Sequence, residues 1–169
     1  MDNTTPAGLY TIKTSGCYVL DEDIMGNFSI EASDVCLDLN GFTLTATSNR
    51  AILTNAQSNI LIKNGTIQSP EIEDGWGIDA SNLTHACFKD LTFKSVSVAI
   101  NLISSSFTCI HNIDINQNTP ESGLVLLYIS KSNDIHLSKI SASHNTLTLP
   151  TSISGACVVY IANSNGVSL

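Results

Sequence analysis

The chain is expected to fold as an all-β solenoid, a coil in which each turn adds one short strand to each of three parallel sheets. The first observation behind this is an internal repeat. Five stretches share one in–out pattern: Leu37–Leu44, Ile60–Ile67, Ala86–Phe93, Thr108–Ile115 and Ile135–Ala142. Their third positions, Leu39, Ile62, Phe88, Ile110 and Leu137, are spaced by 23, 26, 22 and 27 residues. One such unit cannot bury its own apolar face and must stack on its neighbours. The second observation is composition. β-branched residues are plentiful, which favours strands, and no long capped helical run occurs. The third is how each unit breaks up. Short strands alternate with turns, and the Leu-x-x-Leu-x-Leu spacing of leucine-rich repeats, which overlap in length, does not fit.

Taken in order, residues 5–27 are expected to cap the N-terminal end, with Leu9, Tyr10, Ile12, Tyr18, Leu20 and Ile24 available to cover the core. About six rungs follow over 28–169, the last incomplete, all within one domain of residues 1–169. The second full rung shows the logic. Ala51–Thr54 and Asn59–Lys63 read as strands, Asn64-Gly65 as a corner and Thr66–Gln68 as a third strand. Ile60 and Ile62 share one face at period two, while Leu61 and Lys63 share the other. Stacking then aligns Leu39, Ile62, Phe88, Ile110 and Leu137 in one inward column, and Leu44, Ile67, Phe93, Ile115 and Ala142 in another. Each inward aliphatic side chain contributes roughly 1.5–3 kcal/mol of burial. The corner column Gly41, Asn64, Asp90, Asn112 and Lys139 is structural, because Asn and Asp tolerate the left-handed conformation. A last short stretch, Val167-Ser-Leu169, stops in mid-rung where an inward leucine is expected. That uncapped end points to a longer solenoid or a subunit that self-associates through its C-terminal rung.

Composition narrows the functions. Of 169 residues, 43% are hydrophobic and only 13% charged, so a folded, polar-surfaced protein is expected rather than a disordered one. The net charge is −8, with seven Lys and Arg together. No basic stripe exists to neutralise phosphates, which disfavours nucleic acid, and no apolar run approaches the ~20 residues of a membrane span. Strongly anionic polysaccharides would be repelled unless a cation intervened. Five cysteines without CxxC spacing do not make a disulfide framework. Cys87 and Cys109 align one rung apart, close enough for a bridge by Cα spacing, but thiols are the preferred state. The four histidines show no metal spacing, and no metal or organic cofactor is expected beyond Ca²⁺ at an acidic loop.

The opening Ser15–Ile24, followed by Val35–Leu44, and the phrases Ser132-Asn-Asp-Ile135 and Ser164-Asn-Gly-Val167 resemble the right-handed parallel β-helix, or pectate-lyase-like, superfamily. The resemblance covers about residues 9–169. It implies a right-handed parallel β-helix, on which loops line a substrate groove. It does not choose a function, since the scaffold hosts lyases, hydrolases, epimerases, adhesins and viral spikes. The hydrolase motifs of the fold are absent. Arg50, the sole arginine, has no acidic residue near it in sequence, as the lyase pattern would require.

Loops on a rigid scaffold carry function. The insertions Thr47–Arg50, Gln68–Trp76, Asn116–Glu121 and Asn145–Ser154 follow the third strand of their rungs, so they cluster along one edge. Glu71, Glu73 and Asp74 accompany Trp76, the only tryptophan, and Glu121 lies one insertion further on. Trp faces stack on sugar rings, and carboxylates bind sugar hydroxyls or Ca²⁺. An outward column of Asn40, Lys63, Lys89, His111 and Ser138 forms a small cationic strip suited to a carboxylate or sulfate, although solvated charges also keep a sheet face from pairing with other surfaces. No catalytic residue or metal ligand is assigned. The favoured function is a non-catalytic, structural or glycan-contacting module of a surface or virion-type assembly, with a polysaccharide as partner. The alternative is a fragment of a polysaccharide lyase or glycoside hydrolase. An extracellular, cell-surface or virion setting is expected, although Met1–Pro6 shows no secretory signal.

Overall fold

A computed structural model of the chain describes residues 8–69, 75–116, 125–143 and 157–168. They form sixteen strands and no helix. The first turn carries β1 (Leu9–Ile12), β2 (Gly16–Val19) and β3 (Ile24–Met25). The second carries β4 (Asn27–Ile30), β5 (Val35–Asp38) and β6 (Thr43–Thr45). Next come β7 (Arg50–Asn55) with β8 (Ser58–Gln68), β9 (Trp76–Ser81) with β10 (Thr84–Lys94), and β11 (Val98–Ile103) with β12 (Ser106–Asn116). The last pairs are β13 (Val125–Ser130) with β14 (Asn133–Ser143), and β15 (Cys157–Ala162) with β16 (Asn165–Ser168).

All pairing is parallel, each strand lying on its counterpart one turn away. The first sheet has seven strands in the order β1-β4-β7-β9-β11-β13-β15. The second has nine in one path, β16-β14-β12-β10-β8-β5-β2, with β3 and β6 beside it. The chain is therefore a parallel β-solenoid, and four of its turns carry the full 11-residue strand β8, β10, β12 or β14. Those long strands bend at one residue. Asn64, Asp90, Asn112 and Lys139 all take φ between 53° and 60°, so one continuous sheet turns a corner and presents two faces. The three faces expected from sequence are thus built from two hydrogen-bonded sheets.

The stretch expected to cap the coil is itself coiled. β1, β2 and β3 pair in register with β4, β5 and β6. It also covers the core: Ile12 and Leu20 are buried, and the Tyr10 ring lies 5.2 Å from that of Phe28.

The inward columns hold, with one shift. Ile62, Phe88, Ile110 and Leu137 stack in register, but the residue beneath Ile62 is Leu37, not Leu39. Two extra residues at the corner cause this. Asn40 (φ 52°) and Gly41 (φ 85°) form a tight turn closed by Phe42 N–H donating to Leu39 O at 2.8 Å, as both positive φ values of a type I′ turn require. Leu39 stays fully buried by filling the place of a missing side chain. A Cβ on Gly65 would lie 2.5 Å from Leu39 Cβ. The same shift corrects the strip: Lys63 stands over Asp38, not Asn40. Leu44, Ile67, Phe93, Ile115 and Ala142 align as expected.

The Ser-x-Asn phrases gain a physical role. Ser132 is fully buried; its Oγ donates to Ser130 O and accepts the Ser105 N–H at 3.1 Å. Ser105 Oγ does the same for the Leu83 N–H, and Ser164 Oγ for the Ser132 N–H. Each hydroxyl thus satisfies an amide of the adjacent turn that would otherwise be buried unpaired.

Candidate functional site

The insertions enter at one edge. Each described end leads from the second sheet into the start of a first-sheet strand, where Arg50, Trp76 and Val98 stand in register. Behind this edge runs an outward column of the first sheet: Leu53, Asp79, Asn101, Tyr128 and Tyr160. Its members alternate along their strands with inward Ile52, Ile78, Ile100, Leu127 and Val159, so pleating decides which side they face.

Arg50 joins the edge to this column. Its guanidinium lies 5.5 Å from the Trp76 ring centroid, and its Nε lies 2.5 Å from Asp79 Oδ2. The other Asp79 oxygen accepts Asn101 Nδ2 at 2.8 Å. The sole arginine therefore has an acidic partner after all, from the next turn rather than from nearby sequence. Half of the Arg50 side chain is exposed, against 13% of Asp79. Farther along the column, the Tyr128 and Tyr160 rings stack at 5.2 Å and 15°. That distance is close to the strand spacing of about 4.8 Å, so the coil itself sets the ring separation.

Charge in this strip is balanced, one guanidinium against one carboxylate. Asp79 is the only carboxylate in the described strands of the first sheet. Glycoside hydrolysis ordinarily needs two carboxyl groups about 5–9.5 Å apart, and this column supplies one, already engaged on both oxygens. What the strip exposes is aromatic faces and the Arg50 guanidinium; Asn101 is buried and serves to hold Asp79.

Of the residues singled out from sequence, Trp76 lies at this edge, half-buried beneath Arg50. Glu71, Glu73, Asp74 and Glu121 lie outside the described residues. Lys63, Lys89 and His111 do stand on successive turns of the second sheet. The charge of Lys63 is answered locally. Lys63 Nζ pairs with Asp38 Oδ2 at 2.9 Å, and His111 Nδ1 contacts Ser138 Oγ at 2.8 Å. Burial alone would raise the Asp38 carboxyl, but hydrogen bonds from Lys63, the Asn40 N–H and Asn64 outweigh it and hold it below the usual carboxylate range. The Asp38 hydrogen bond in turn raises Lys63. Asp23, the last of the acidic run Asp21-Glu22-Asp23, accepts the Thr43 N–H at 2.7 Å, a structural task. Among the described residues, no group of three His, Cys, Asp or Glu side chains is placed to hold a metal.

Asp79, Asn101, Tyr128 and Tyr160 were not anticipated. A signal for them exists. Aligning the first strand of each turn on Ile52, Ile78, Ile100, Leu127 and Val159 puts them in one outward column.

No protein-family profile matches the chain, and no curated protein does. Among solved structures, it is similar to a "putative glycosyl hydrolase" from Parabacteroides merdae, with a TM-score of 0.51 and 14% identity over 93% of this chain and 80% of that one. At that identity the likeness concerns the fold.

Proposed function

We propose that the protein is a glycan-contacting β-solenoid module whose contact surface is the outer face of the first sheet, from Arg50 and Trp76 to Tyr160. The observation that carries this reading is the Asp79–Asn101–Tyr128–Tyr160 column with Arg50 tying Trp76 to it. Aromatic rings suit the apolar faces of sugars, and the half-exposed Arg50 guanidinium, held by Asp79, suits hydroxyls. A balanced strip on a chain of net charge −8 favours a neutral polysaccharide over a polyanion. The sequence resemblance to the pectate-lyase-like superfamily and the fold of the Parabacteroides merdae protein support a carbohydrate setting. The single engaged carboxylate supports binding without cleavage.

The only tryptophan in the chain makes the test direct. Neutral β-glucan, xylan and mannan oligosaccharides titrated into the protein should change Trp76 fluorescence, and Tyr128→Ala should abolish the response to whichever one binds. No response from any neutral glycan defeats the proposal. Release of reducing ends, or of unsaturated uronate absorbance from a polyuronate, would establish instead the second reading, a lyase or hydrolase that draws carboxylates from the Glu71–Asp74 and Glu121 loops.

A further inference from the structure

Four of the five cysteines occupy one outward column of the second sheet. Register places Cys17 beside Cys36, Cys36 beside Leu61, Leu61 beside Cys87, and Cys87 beside Cys109. All four are free thiols, Cys17 exposed and the others partly so. The column therefore presents two adjacent dithiols parted by one leucine.

The coil pitch decides what such a pair can hold. Direct partners on parallel strands lie about 4.8 Å apart. Side chains that leave parallel strands in the same direction keep their Cβ atoms near that spacing, wider than the roughly 3.5–4.5 Å of a relaxed disulfide, so a bridge that Cα spacing alone would admit is strained. A metal–thiolate bond is about 2.3 Å, and two of them end to end span about 4.6 Å, which matches the pitch. We propose that Cys87 and Cys109 form a two-coordinate site for a soft monovalent ion of the Cu(I) or Ag(I) type, and that Cys17 and Cys36 form a second site of the same design. Thiolates select soft ions over hard ones. Two-coordinate rather than tetrahedral binding follows from the absence, among the described residues, of any convergent group of three ligands. His136 continues the column beside Cys109, with its Nδ1 2.9 Å from Ser168 Oγ, but it does not complete a group of three ligands there.

Binding exchanges protons for metal. Two thiols and one M⁺ give an S–M–S anion of charge −1 and release two protons. One thiol of each pair is held in its protonated form. Burial, and then the hydrogen bond to Cys109 and its charge, push Cys87 up to about 11. Burial and the hydrogen bond to Cys17 raise Cys36 likewise. A protonated thiol is a weak nucleophile, so the pairs resist oxidation yet stay open to an ion that displaces the proton. Affinity must then rise with pH, because binding consumes deprotonated ligand.

The test titrates Ag(I) into the full chain carrying Cys157→Ser, in chloride-free, anaerobic buffer. Native mass spectrometry counts ions, and a pH indicator counts protons. Two ions per chain with two protons per ion are expected. Cys87→Ser/Cys109→Ser should take up one ion, and Cys109→Ser alone should weaken that site roughly 100-fold through loss of the second tethered ligand. Circular dichroism confirms that each variant keeps its β structure. Four ions releasing one proton each would overturn the proposal, as would unchanged uptake by the double variant. So would ready closure of Cys87 and Cys109 by hydrogen peroxide, in which two thiols give one disulfide and two waters. That closure would show that the pitch accommodates S–S.

Discussion

Two outward columns, one on each sheet, follow different rules. On the second sheet, Thr43, Thr66 and Thr92 repeat one chemistry in register before Asp114 and Ser141 follow, although the neighbouring column of Asp38, Lys63, Lys89, His111 and Ser138 varies. On the first sheet, the column Leu53, Asp79, Asn101, Tyr128 and Tyr160 changes character at almost every turn. Both faces share one backbone geometry, so the difference is not imposed by the fold. Repetition marks residues that serve the coil, since each turn meets the same surroundings as the last. Where repetition breaks and side chains from different turns engage one another, as Arg50, Asp79 and Asn101 do, lies the face that we propose contacts a glycan.

The comparison can be tested by substitution. The largest effect is expected in the interior that serves both faces. Phe88 is fully buried, and Phe88→Ala should cost about 3–5 kcal/mol by lost burial plus a cavity, read by urea unfolding. Damage should concentrate in adjacent turns, visible as faster amide exchange in β8 and β12. Next comes the repeating serine ladder. Ser132→Ala leaves the Ser105 N–H buried without its acceptor and should cost about 1–3 kcal/mol. Thr54 tests the reverse. Its buried Oγ1 has no hydrogen-bond partner among the described residues, so Thr54→Val should raise stability by about 1 kcal/mol. On the non-repeating face, Arg50→Ala should change stability by less than about 1 kcal/mol, as half-exposed ion pairs do, while weakening any glycan response of Trp76. A loss as large as that of Ser132→Ala would erase the distinction between the faces.

The smallest effect is the pH response of the Asp38–Lys63 pair. The lowered Asp38 carboxyl contributes stability above its unfolded value near 3.9, and loses it as pH falls through the lower folded value. The raised Lys63 contributes below about 10.4, and loses it as pH rises through the higher folded value. Melting curves of Asp38→Asn should show a smaller loss of stability toward acid than those of the wild type.

Much of the coil was legible because burial repeats. Ile62, Phe88, Ile110 and Leu137 recur at a period that only stacking satisfies, and Asn64, Asp90 and Asn112 recur where a left-handed corner is needed. The Leu39 register was misread because an Asn-Gly turn inserts two residues without breaking the apolar pattern on either side. Arg50 was set aside because its partner, Asp79, is a turn away. The sequence neighbourhood of a solenoid residue is along the strand, whereas its contacts run across strands. The acidic loop around Glu71 was legible as composition, but its residues lie outside those described.

Apolar periodicity, the corner residues and the charge balance were decided by the order of amino acids alone, because each depends on local backbone preference or on a sum over the chain. Which outward side chains meet was decided only by the coil. Register between turns brings together residues 18 to 32 positions apart, and a shift of two at one corner is enough to exchange Asn40 for Asp38 beneath Lys63.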